Sequence, residues 1–479
     1  MAELKGKVLS GLKWSVGGKA ATQLITWAST IIVMRLLNPD DYGLMAMATV
    51  FIALCMLINE MGLGAALVQS KSVSDTLLRQ VYSMVLLING SLFVILVAGS
   101  PLIAMFFEEK RLIAIVSVLA FQFIAVAFSV VPSALLTREM NFRAKSIVEV
   151  VAMLTSSILT LSLALLGSAV WALVFGALAH IVVRSIGYNI AKPSFRRPTT
   201  DFKGFAERAK FGGYMSITRV LWYVYSQADV FIVGKLLGKT LLGYYSVAMH
   251  IASLPMQKVG SIMHEVGLPA YSQLQDNKEL AANYALKAAR AISVVAFPVF
   301  FGISSVSPEL VSLVLGEKWL PAIPALQLLS LIIPLRTIQI SVGPAVSGLG
   351  RPDVNVRNLV VACVVMPTAF VIGVKWGLVG VSLAWLIGFS LWFLYMLSQS
   401  LPVIGVSVSR FLKTMLTPAF YSGVMYAAVY ATKLALTSWD ANAVLTLVVM
   451  IVIGALVYAG CMLAFSRDTC REVWGMIRS

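Results

Sequence analysis

The sequence predicts an all-α, polytopic membrane protein with fourteen transmembrane helices, arranged as two pseudo-symmetric six-helix bundles plus two C-terminal helices. Three observations support this fold: an apolar composition, a series of long apolar runs, and an internal repeat. Hydrophobic residues make up 59% of the 479 residues and charged residues only 12%, whereas soluble domains are roughly 25% charged. The mean hydropathy is +0.88. This composition excludes an ordinary soluble domain.

The apolar runs are long enough to cross a bilayer, which takes ~20 residues of helix. Polar residues, glycine and proline separate one run from the next. The fourteen predicted spans lie near 11–37, 42–66, 80–104, 112–134, 144–166, 170–190, 211–236, 241–263, 289–315, 322–348, 357–374, 378–399, 412–432 and 441–465. The first span follows a basic segment and lacks a small-residue cleavage site, so we expect an uncleaved helix and not a signal peptide.

Lysine and arginine are distributed unevenly between the two sides of these spans. With the N-terminus inside, the cytoplasmic segments and helix ends hold 27 of the 37 basic residues, including Lys19 near the start of the first span. The opposite side holds eight, and the remaining two, Arg219 and Arg336, lie inside helices. Cytoplasmic loops of membrane proteins are enriched in these residues. The sequence therefore predicts that both termini are cytoplasmic. Because the basic residues are spread over short loops and do not form one patch, we expect no nucleic-acid partner.

A repeat relates the two halves of the chain. The stretch IIVMRLLNPDDYGLMAMA at 31–48 matches FIVGKLLGKTLLGYYSVA at 231–248 with a constant offset of 200 residues. Each half starts on the cytoplasmic side and has six spans, and repeats of this kind are typical of transporters. The predicted domains are an N-terminal six-helix bundle at 1–190, a cytoplasmic linker at 191–210, a C-terminal six-helix bundle at 211–400, and two additional helices with a cytoplasmic tail at 401–479.

Basic residues inside the predicted spans are the main candidates for function. Arg336 lies near the middle of the tenth span, Arg219 lies in the seventh, and Lys19 is the counterpart of Arg219 at the repeat offset. A charged side chain at the bilayer centre costs ~3 kcal/mol on insertion scales. The planar fork of arginine suits phosphate, so we expect these residues to bind an anion in a cavity between the bundles. The alternatives are structural pairing with Asp229 for the arginines and snorkelling for Lys19.

Polar residues accompany these charges at helical spacing. Gln23 lies in the first helix of the N-terminal half, and Tyr223 and Gln227 lie in the first helix of the C-terminal half. Polar residues at this spacing form one polar face of a helix, and such a face is unstable against lipid. We therefore expect it to line a cavity, and we expect these three residues to bind substrate as well. Asp229 follows Gln227 in the same helix but lies just outside this polar face. It is a candidate for ion or proton coupling or for a salt bridge.

Catalytic and cofactor-binding patterns are absent from the sequence. It has no Walker A motif, no zinc motif and no nucleophile–base arrangement, and the predicted outer loops are too short to hold an acceptor. Glu149 is interpreted as interfacial, and His180 and His250 as hydrogen-bonded packing. We therefore expect a transporter and not an enzyme, with no catalytic residue, no metal and no cofactor.

Several segments resemble the polysaccharide transporter branch of the multidrug/oligosaccharidyl-lipid/polysaccharide exporter superfamily. They are RLLNPDDYGLMAMATVFIALCMLINEMGLGAALVQ at 35–69, LLTREMNFR at 135–143, VFIVGKLLGKTLLGYYSVAMHIASLP at 230–255, LVLGEKWLPAIPALQLLSL at 313–331 and SGLGRPD at 347–353. The resemblance covers nearly the whole chain. It is closest to Wzx-type exporters of colanic acid and related exopolysaccharides.

The resemblance implies a function that the residues alone do not give. It implies flipping of an undecaprenyl-diphosphate-linked oligosaccharide across a bacterial inner membrane, with the diphosphate as the ligand of the basic cavity. The implied partners are this lipid-linked oligosaccharide, membrane lipids, and the polysaccharide polymerase and export machinery.

Three alternatives stay open. A drug or cation antiporter of the same superfamily would need acidic or aromatic side chains in its cavity, whereas this sequence has arginines inside its predicted membrane spans. A lipid II flippase would bind the same diphosphate anchor. The residues alone therefore do little to distinguish a lipid II flippase from a polysaccharide flippase. A membrane glycosyltransferase or polymerase would need a large outer loop, which the sequence does not predict.

Overall fold

The computed structural model describes most of the chain, and all regular structure in the described residues is helical. These residues are 17–18, 22–23, 25–59, 64, 67–68, 70, 73–200, 205–437, 442–469 and 471–472, with the backbone alone described at 58, 205–219, 257–266 and 437. The prediction of an all-α membrane protein is confirmed.

The long helices follow one another through short connections. They are α1 (Ile25–Leu36), α2 (Pro39–Asn59), α3 (Asp75–Phe107), α4 (Arg111–Arg138), α5 (Phe142–Leu165), α6 (Val170–Ala191), α7 (205–237), α8 (239–272), α9 (Lys278–Ser305), α10 (Ile323–Gly348), α11 (Pro352–Gly373), α12 (377–404), α13 (Val408–Thr437) and α14 (Ala443–Phe465). Backbone hydrogen bonds run almost unbroken from α7 into α8, and Gly238 alone breaks the run with a φ of 79°. Only glycine adopts this left-handed conformation without strain.

Ten helical stretches in the described residues are long and apolar enough to cross a membrane. One of these stretches, Pro352–Ile404, contains both α11 and α12, and another, Val220–Met256, includes the break at Gly238. The number of fourteen spans therefore stays a prediction. Helix α7 begins at Phe205, inside the segment predicted as a linker.

Large apolar side chains cover the outside of these helices. Leu87 is 62% exposed, Met105 is 72% exposed and Leu166 is 79% exposed. Soluble proteins rarely expose extensive apolar surface of this kind, whereas lipid tails solvate it. The surface therefore fits a bilayer, and the helices satisfy their own backbone groups as the hydrocarbon region requires.

Polar caps fix where several helices begin. Ser74, Asn141, Asn277 and Asn442 each precede a helix, and each side-chain oxygen accepts a hydrogen bond from a backbone N–H in the first turn. The first N–H groups of a helix have no partner within it, so these side chains stabilise the helix ends.

Two compact units divide the chain. The first takes Met1–Tyr223 and Gly238–Gly243, and the second takes Val224–Leu237 and Tyr244–Ser479. In unit 1, α3 and α4 enclose an apolar core around Val81. In unit 2, α9 packs against α10 and α13, and α13 also packs against α14. The two helices that lie outside the sequence repeat are thus part of the second unit.

Unit 1 includes a close contact between the two copies of the repeated motif. A Cβ atom on Gly43 would lie 1.8 Å from the carbonyl oxygen of Lys239, and a Cβ atom on Gly243 would lie 1.9 Å from the carbonyl oxygen of Pro39. At the offset of 200 residues, Gly43 is equivalent to Gly243 and Pro39 is equivalent to Lys239. The same glycine–carbonyl contact therefore occurs twice, with the two copies of the motif exchanged. Each glycine is required because no side chain fits where the backbones meet.

Charged side chains surround this contact. The Nζ atom of Lys239 lies 2.5 Å from the Glu109 carboxylate, and the Thr240 hydroxyl donates to Asp40 at 2.6 Å. The Arg111 side chain also donates to Glu109 and, with Lys239, lowers the pKa of this loop carboxyl from 4.5 to about 2, although partial burial opposes the shift. The segment 238–243 is therefore held to unit 1 by both backbone packing and ion pairs.

Replacing either glycine of the motif by alanine is expected to destabilise the protein. A Cβ atom in contact with a carbonyl oxygen forces the backbone apart, at a cost of about 1–3 kcal/mol. The thermal unfolding temperature of purified Gly43→Ala and Gly243→Ala proteins should therefore fall. Gly90→Ala is the matched control, because nothing lies within 4 Å of its Cβ position. Equal unfolding temperatures for Gly43→Ala and Gly90→Ala would contradict the close contact.

The depressed pKa of Glu109 predicts a pH-dependent contribution to stability. Because the folded-state pKa lies below the ordinary value, the ionised carboxylate stabilises the fold fully above about pH 4.5, and this contribution is lost as the pH falls toward 2. The unfolding temperature of Glu109→Gln should lie below that of the wild type at pH 7, and the difference should narrow at pH 3. Glu279→Gln, which removes an exposed carboxylate from α9, serves as the control. A difference that is the same at both pH values would rule out the ion pair as its cause.

Candidate functional site

A buried tryptophan on α12 organises the polar interior of unit 2. Trp385 begins a π-helical turn, Trp385–Phe389, and its side chain is 0% exposed. Turns of this type often occur at functional sites. Helix α12 lies close to α11 because Gly373 and Gly380 allow their backbones to approach. This packing holds the indole in the interior of the unit.

Aromatic rings surround the indole on several sides. The ring centroids of Tyr225, Phe370 and Phe389 lie 6.3, 5.2 and 5.9 Å from that of Trp385. Tilted and edge-on aromatic pairs at such distances stabilise a core beyond the area that they bury. The orientation of Trp385 is therefore fixed by its neighbours, and so is the direction of its single N–H donor.

The indole N–H points toward a buried carboxylate. Trp385 Nε1 lies 3.1 Å from Asp229 Oδ2 and 2.7 Å from the hydroxyl oxygen of Tyr245. Tyr245 donates to the same carboxylate oxygen at 2.5 Å, and the N–H of Val230 donates to the other at 2.8 Å. Asp229 is only 3% exposed. Its polar atoms are therefore satisfied by neutral donors, as a buried carboxylate requires.

Arg336 lies over the face of the same indole ring. Its guanidinium carbon is 4.2 Å from the ring centroid of Trp385, which is a cation–π contact. Its Nη1 atom also donates to the sulfur of Met249 at 3.5 Å, and sulfur is a weak acceptor. We call Asp229, Tyr245, Arg336 and Trp385 the Arg336 cluster. Trp385 contacts both Asp229 and Arg336.

Arg336 has no acidic partner among the residues that the structure describes. No carboxylate oxygen there lies within 4.0 Å of its nitrogens, and Asp229, although it belongs to the same cluster, does not form a direct ion pair with it. A guanidinium has five N–H donors, and the described contacts use one of them on a thioether. The side chain is half-buried. Among the described residues, this arrangement leaves a positive charge inside a membrane helix without a carboxylate partner.

Other candidate residues in unit 1 are used differently. Tyr223 is 4% exposed and donates its hydroxyl to the backbone carbonyl of Val50 on α2. Gln23 is half-buried, while its neighbours Thr22 and Thr26 donate to carbonyls of their own helix. The Tyr223 hydroxyl is thus already bonded to the backbone, and a substrate-binding role for Tyr223 and Gln23 stays a prediction.

The remaining candidates are only partly described. Gln227 is half-buried on α7 in unit 2, with no hydrogen-bond partner among the described residues. Lys19 lies outside the described residues, and Arg219 lies in α7 at a position where only the backbone is described. Whether these residues share a site with Arg336 stays a prediction.

Unit 1 has a polar cluster of its own, between α5 and α6. The hydroxyl of Tyr188 donates to the Glu149 carboxylate at 2.6 Å, and His180 Nε2 and Arg184 Nη1 lie 3.8 and 4.0 Å from it. In the sequence His180 and Glu149 are separated and have no visible relation. The packing of two helices brings them together, so the histidine is not an isolated polar group.

Sequence reasoning identified Arg336 and Asp229 but missed Tyr245 and Trp385, which connect them. One signal was available: a buried tryptophan needs an acceptor for its N–H, and apolar helices offer few. Several tryptophans meet that condition, however, and only the packing of α7, α8, α10 and α12 selects Trp385.

Comparisons with known proteins agree with this fold and with the resemblance seen in the sequence. A family model described as polysaccharide biosynthesis protein matches residues 32–324. The lipopolysaccharide biosynthesis protein WzxC of Escherichia coli (strain K12) is 25% identical over 90% of this chain and 89% of its own. The teichuronic acid biosynthesis protein TuaB of Bacillus subtilis (strain 168) is 25% identical over 74% of each chain.

A solved structure of the lipid II flippase MurJ, in its inward closed conformation, is similar in fold. The TM-score is 0.72 at 16% identity, with 93% of this chain and 99% of that chain covered. At this identity the likeness concerns the fold alone, which is a polytopic helical membrane fold. The family model covers more than half of the chain. The expected relationship is therefore confirmed: the protein belongs to the polysaccharide biosynthesis family of the multidrug/oligosaccharidyl-lipid/polysaccharide exporter superfamily.

Proposed function

We propose that this protein is a flippase that moves an undecaprenyl-diphosphate-linked oligosaccharide across the bacterial inner membrane by alternating access. Its relatives WzxC and TuaB carry names from lipopolysaccharide and teichuronic acid biosynthesis, and MurJ is named a lipid II flippase. The orientation follows the distribution of basic residues, with both termini in the cytoplasm. A flippase moves its substrate without making or breaking a covalent bond, so the proposal includes no catalytic residue.

The observation that carries this proposal is the guanidinium of Arg336. It lies in a membrane helix, over Trp385, without an acidic partner among the described residues. Intramembrane charges usually mark a substrate or ion pathway. A diphosphate offers several oxygens in the geometry that a guanidinium binds bidentately. The anchor of a lipid-linked oligosaccharide is therefore the ligand that fits this group best.

The other basic and polar candidates extend the same proposal. A diphosphate carries more than one negative charge, so one arginine does not neutralise it, and further cations and hydrogen-bond donors are required along the path. The residues proposed for this role are Lys19, Gln23, Arg219, Tyr223 and Gln227.

The alternatives from the sequence are less well supported. A drug or cation antiporter needs an accessible carboxylate, and Asp229 is almost fully buried and already holds three donors. A lipid II flippase would use the same diphosphate contact, but WzxC and TuaB are named for polysaccharide biosynthesis. The polysaccharide polymerase and export machinery are proposed partners because they would consume the translocated unit.

Asp229 is proposed to act in ion or proton coupling. It has no direct ion pair with a described cation, so the salt-bridge alternative receives no support from the described contacts. A carboxylate in this position contacts Trp385, which in turn contacts Arg336. A change in the charge of Asp229 is thereby transmitted to the surroundings of the substrate-binding arginine.

Replacing Arg336 tests the proposed function directly. In proteoliposomes that contain a fluorescent undecaprenyl-diphosphate-linked oligosaccharide, we expect the wild type to flip the lipid and Arg336→Gln to flip it at least about tenfold more slowly, because a hydrogen bond to a charged group contributes about 1.5–3 kcal/mol. Arg336→Lys should restore part of the rate, since lysine retains the charge but not the planar fork.

The control for this experiment is Arg357→Gln, which removes an exposed guanidinium from α11 in the same unit. Its flipping rate should match that of the wild type. A well-folded Arg336→Gln protein with normal flipping would exclude Arg336 from the substrate site. A large fall in the unfolding temperature of Arg336→Gln, accompanying the loss of flipping, would assign Arg336 a structural role.

Replacing Asp229 tests the coupling proposal. Asp229→Asn keeps the size of the side chain and one oxygen acceptor for Tyr245 and Trp385, but it removes the ionisable group. We expect this variant to flip the lipid at a rate that no longer responds to an imposed pH or sodium gradient. Asp353→Asn, an exposed site on α11, is the control. A response to both gradients that equals the wild-type response would show that Asp229 has only a packing role.

A further inference from the structure

A basic pocket lies between three helices of unit 2, away from the residues of the Arg336 cluster. It has a volume of about 310 Å³ and is bounded by α9, by the first three turns of α13 and by the C-terminal end of α14. Two of these helices, α13 and α14, belong to the segment outside the sequence repeat. The pocket is therefore specific to the added helices and has no counterpart generated by the repeat.

Three cations line this pocket. Arg410 and Lys413 project from α13, and Arg290 projects from α9. Arg290 forms an ion pair with Glu472, which follows α14 and ties that segment to α9. Arg410 and Lys413 have no acidic partner among the described residues, where the ion pairs lie elsewhere. The pocket thus holds two positive charges that the described part of the protein does not neutralise.

Hydroxyl groups lie among these charges. Thr414 and Thr417 follow Arg410 and Lys413 on one face of α13, with the spacing i, i+3, i+4 and i+7, and Thr469 also lines the pocket. The Thr414 hydroxyl donates to the carbonyl of Phe411, so Thr417 and Thr469 are the hydroxyl donors that the described contacts leave to a ligand. Two cations without an acidic partner among the described residues, together with these two hydroxyl donors, favour phosphate oxygens.

The depth of the pocket places it at a membrane surface. On α9, the polar stretch DNKELAANYALKAA precedes Arg290 and the apolar stretch AISVVAFPVFFGI follows it. On α13 the apolar run begins after Lys413, and on α14 it ends shortly before Arg467. The predicted orientation assigns this end of the three helices to the cytoplasm. The pocket therefore lies at the level of the phospholipid head groups of the inner leaflet.

Apolar side chains beside the pocket favour a lipid over a soluble phosphate. Leu416 and Phe420 on α13 are 63% and 68% exposed, and Leu463 and Phe465 on α14 are 59% and 77% exposed. These four side chains lie within one or two helical turns of the residues that line the pocket. They belong to the apolar parts of α13 and α14, which face the membrane interior relative to the basic residues. Acyl chains can cover these side chains while a head group occupies the pocket. Loop charges that serve only as topology determinants require neither a cavity nor hydroxyl groups.

We propose that this pocket binds the phosphate of an anionic phospholipid from the cytoplasmic leaflet. Basic pockets between membrane helices are known to select anionic head groups. Bound lipid would join α9, α13 and α14 at their cytoplasmic ends, where the ion pair between Arg290 and Glu472 already connects two of them. This site is separate from the proposed flipping of the substrate, and lipid binding is measured without transport, so either proposal can fail without the other.

Native mass spectrometry of the full-length protein in detergent tests this site, with phosphatidylglycerol as the probe. A Lys or Arg that faces an anionic head group contributes about a fivefold change in binding. We therefore expect the Arg410→Gln/Lys413→Gln protein to bind phosphatidylglycerol roughly 25-fold more weakly than the wild type, since two charges are removed. Lys413→Glu alone should weaken binding by more than about fivefold, since it adds a repelling charge.

The matched control is the Lys278→Gln/Lys287→Gln protein, which removes two charges from the same end of α9 but not from the pocket. It should bind phosphatidylglycerol as the wild type does. Equal weakening of binding in this control and in the pocket variant would overturn the site. Binding of phosphatidylcholine as tight as that of phosphatidylglycerol would overturn the selection for anionic lipid. Pocket-dependent binding of inorganic pyrophosphate, without binding of phosphatidylglycerol, would assign the pocket to a soluble phosphate compound.

Discussion

The hydrocarbon core of a bilayer gives a protein no water with which to satisfy charge, so every charged group at that depth must find its partners in the protein or in a ligand. In unit 2 this constraint is met by neutral groups. Asp229 accepts hydrogen bonds from a tyrosine, an indole and a backbone N–H, and Arg336 lies over the same indole. The two groups do not form a direct ion pair with each other.

Trp385 has a double role because an indole offers two different surfaces. Its N–H edge is a donor and stabilises a carboxylate, whereas its face carries negative charge density and attracts a cation. The ring is held in place by Tyr225, Phe370 and Phe389. The carboxyl group of Asp229 and the guanidinium of Arg336 therefore contact different surfaces of one indole without forming a direct ion pair.

The two copies of the repeat share a backbone contact but differ in their polar side-chain clusters. Gly43 and Gly243 are equivalent, and each allows a close backbone contact with the other copy of the motif. The polar clusters of the two units differ, since unit 1 joins Glu149 to His180 and Tyr188 on α5 and α6, whereas unit 2 uses α7, α8, α10 and α12. The helices outside the repeat add a third polar region. Backbone contacts tolerate few residue types, whereas polar clusters can change as long as each buried group keeps a partner.

The sequence by itself determined the class of the protein, because hydropathy and residue charge are local properties that can be summed along the chain. The all-α membrane fold, the 200-residue repeat with Gly43 and Gly243, and the family resemblance all follow from such local patterns. The cost of burying Arg336 and Asp229 likewise marked them for attention without any structure. Their partners were decided only by tertiary packing: Trp385 lies 49 positions after Arg336 in the sequence, and Tyr245 lies on a different helix from Asp229. Which faces of four helices meet depends on how side chains fill space between them, and no single helix contains that information.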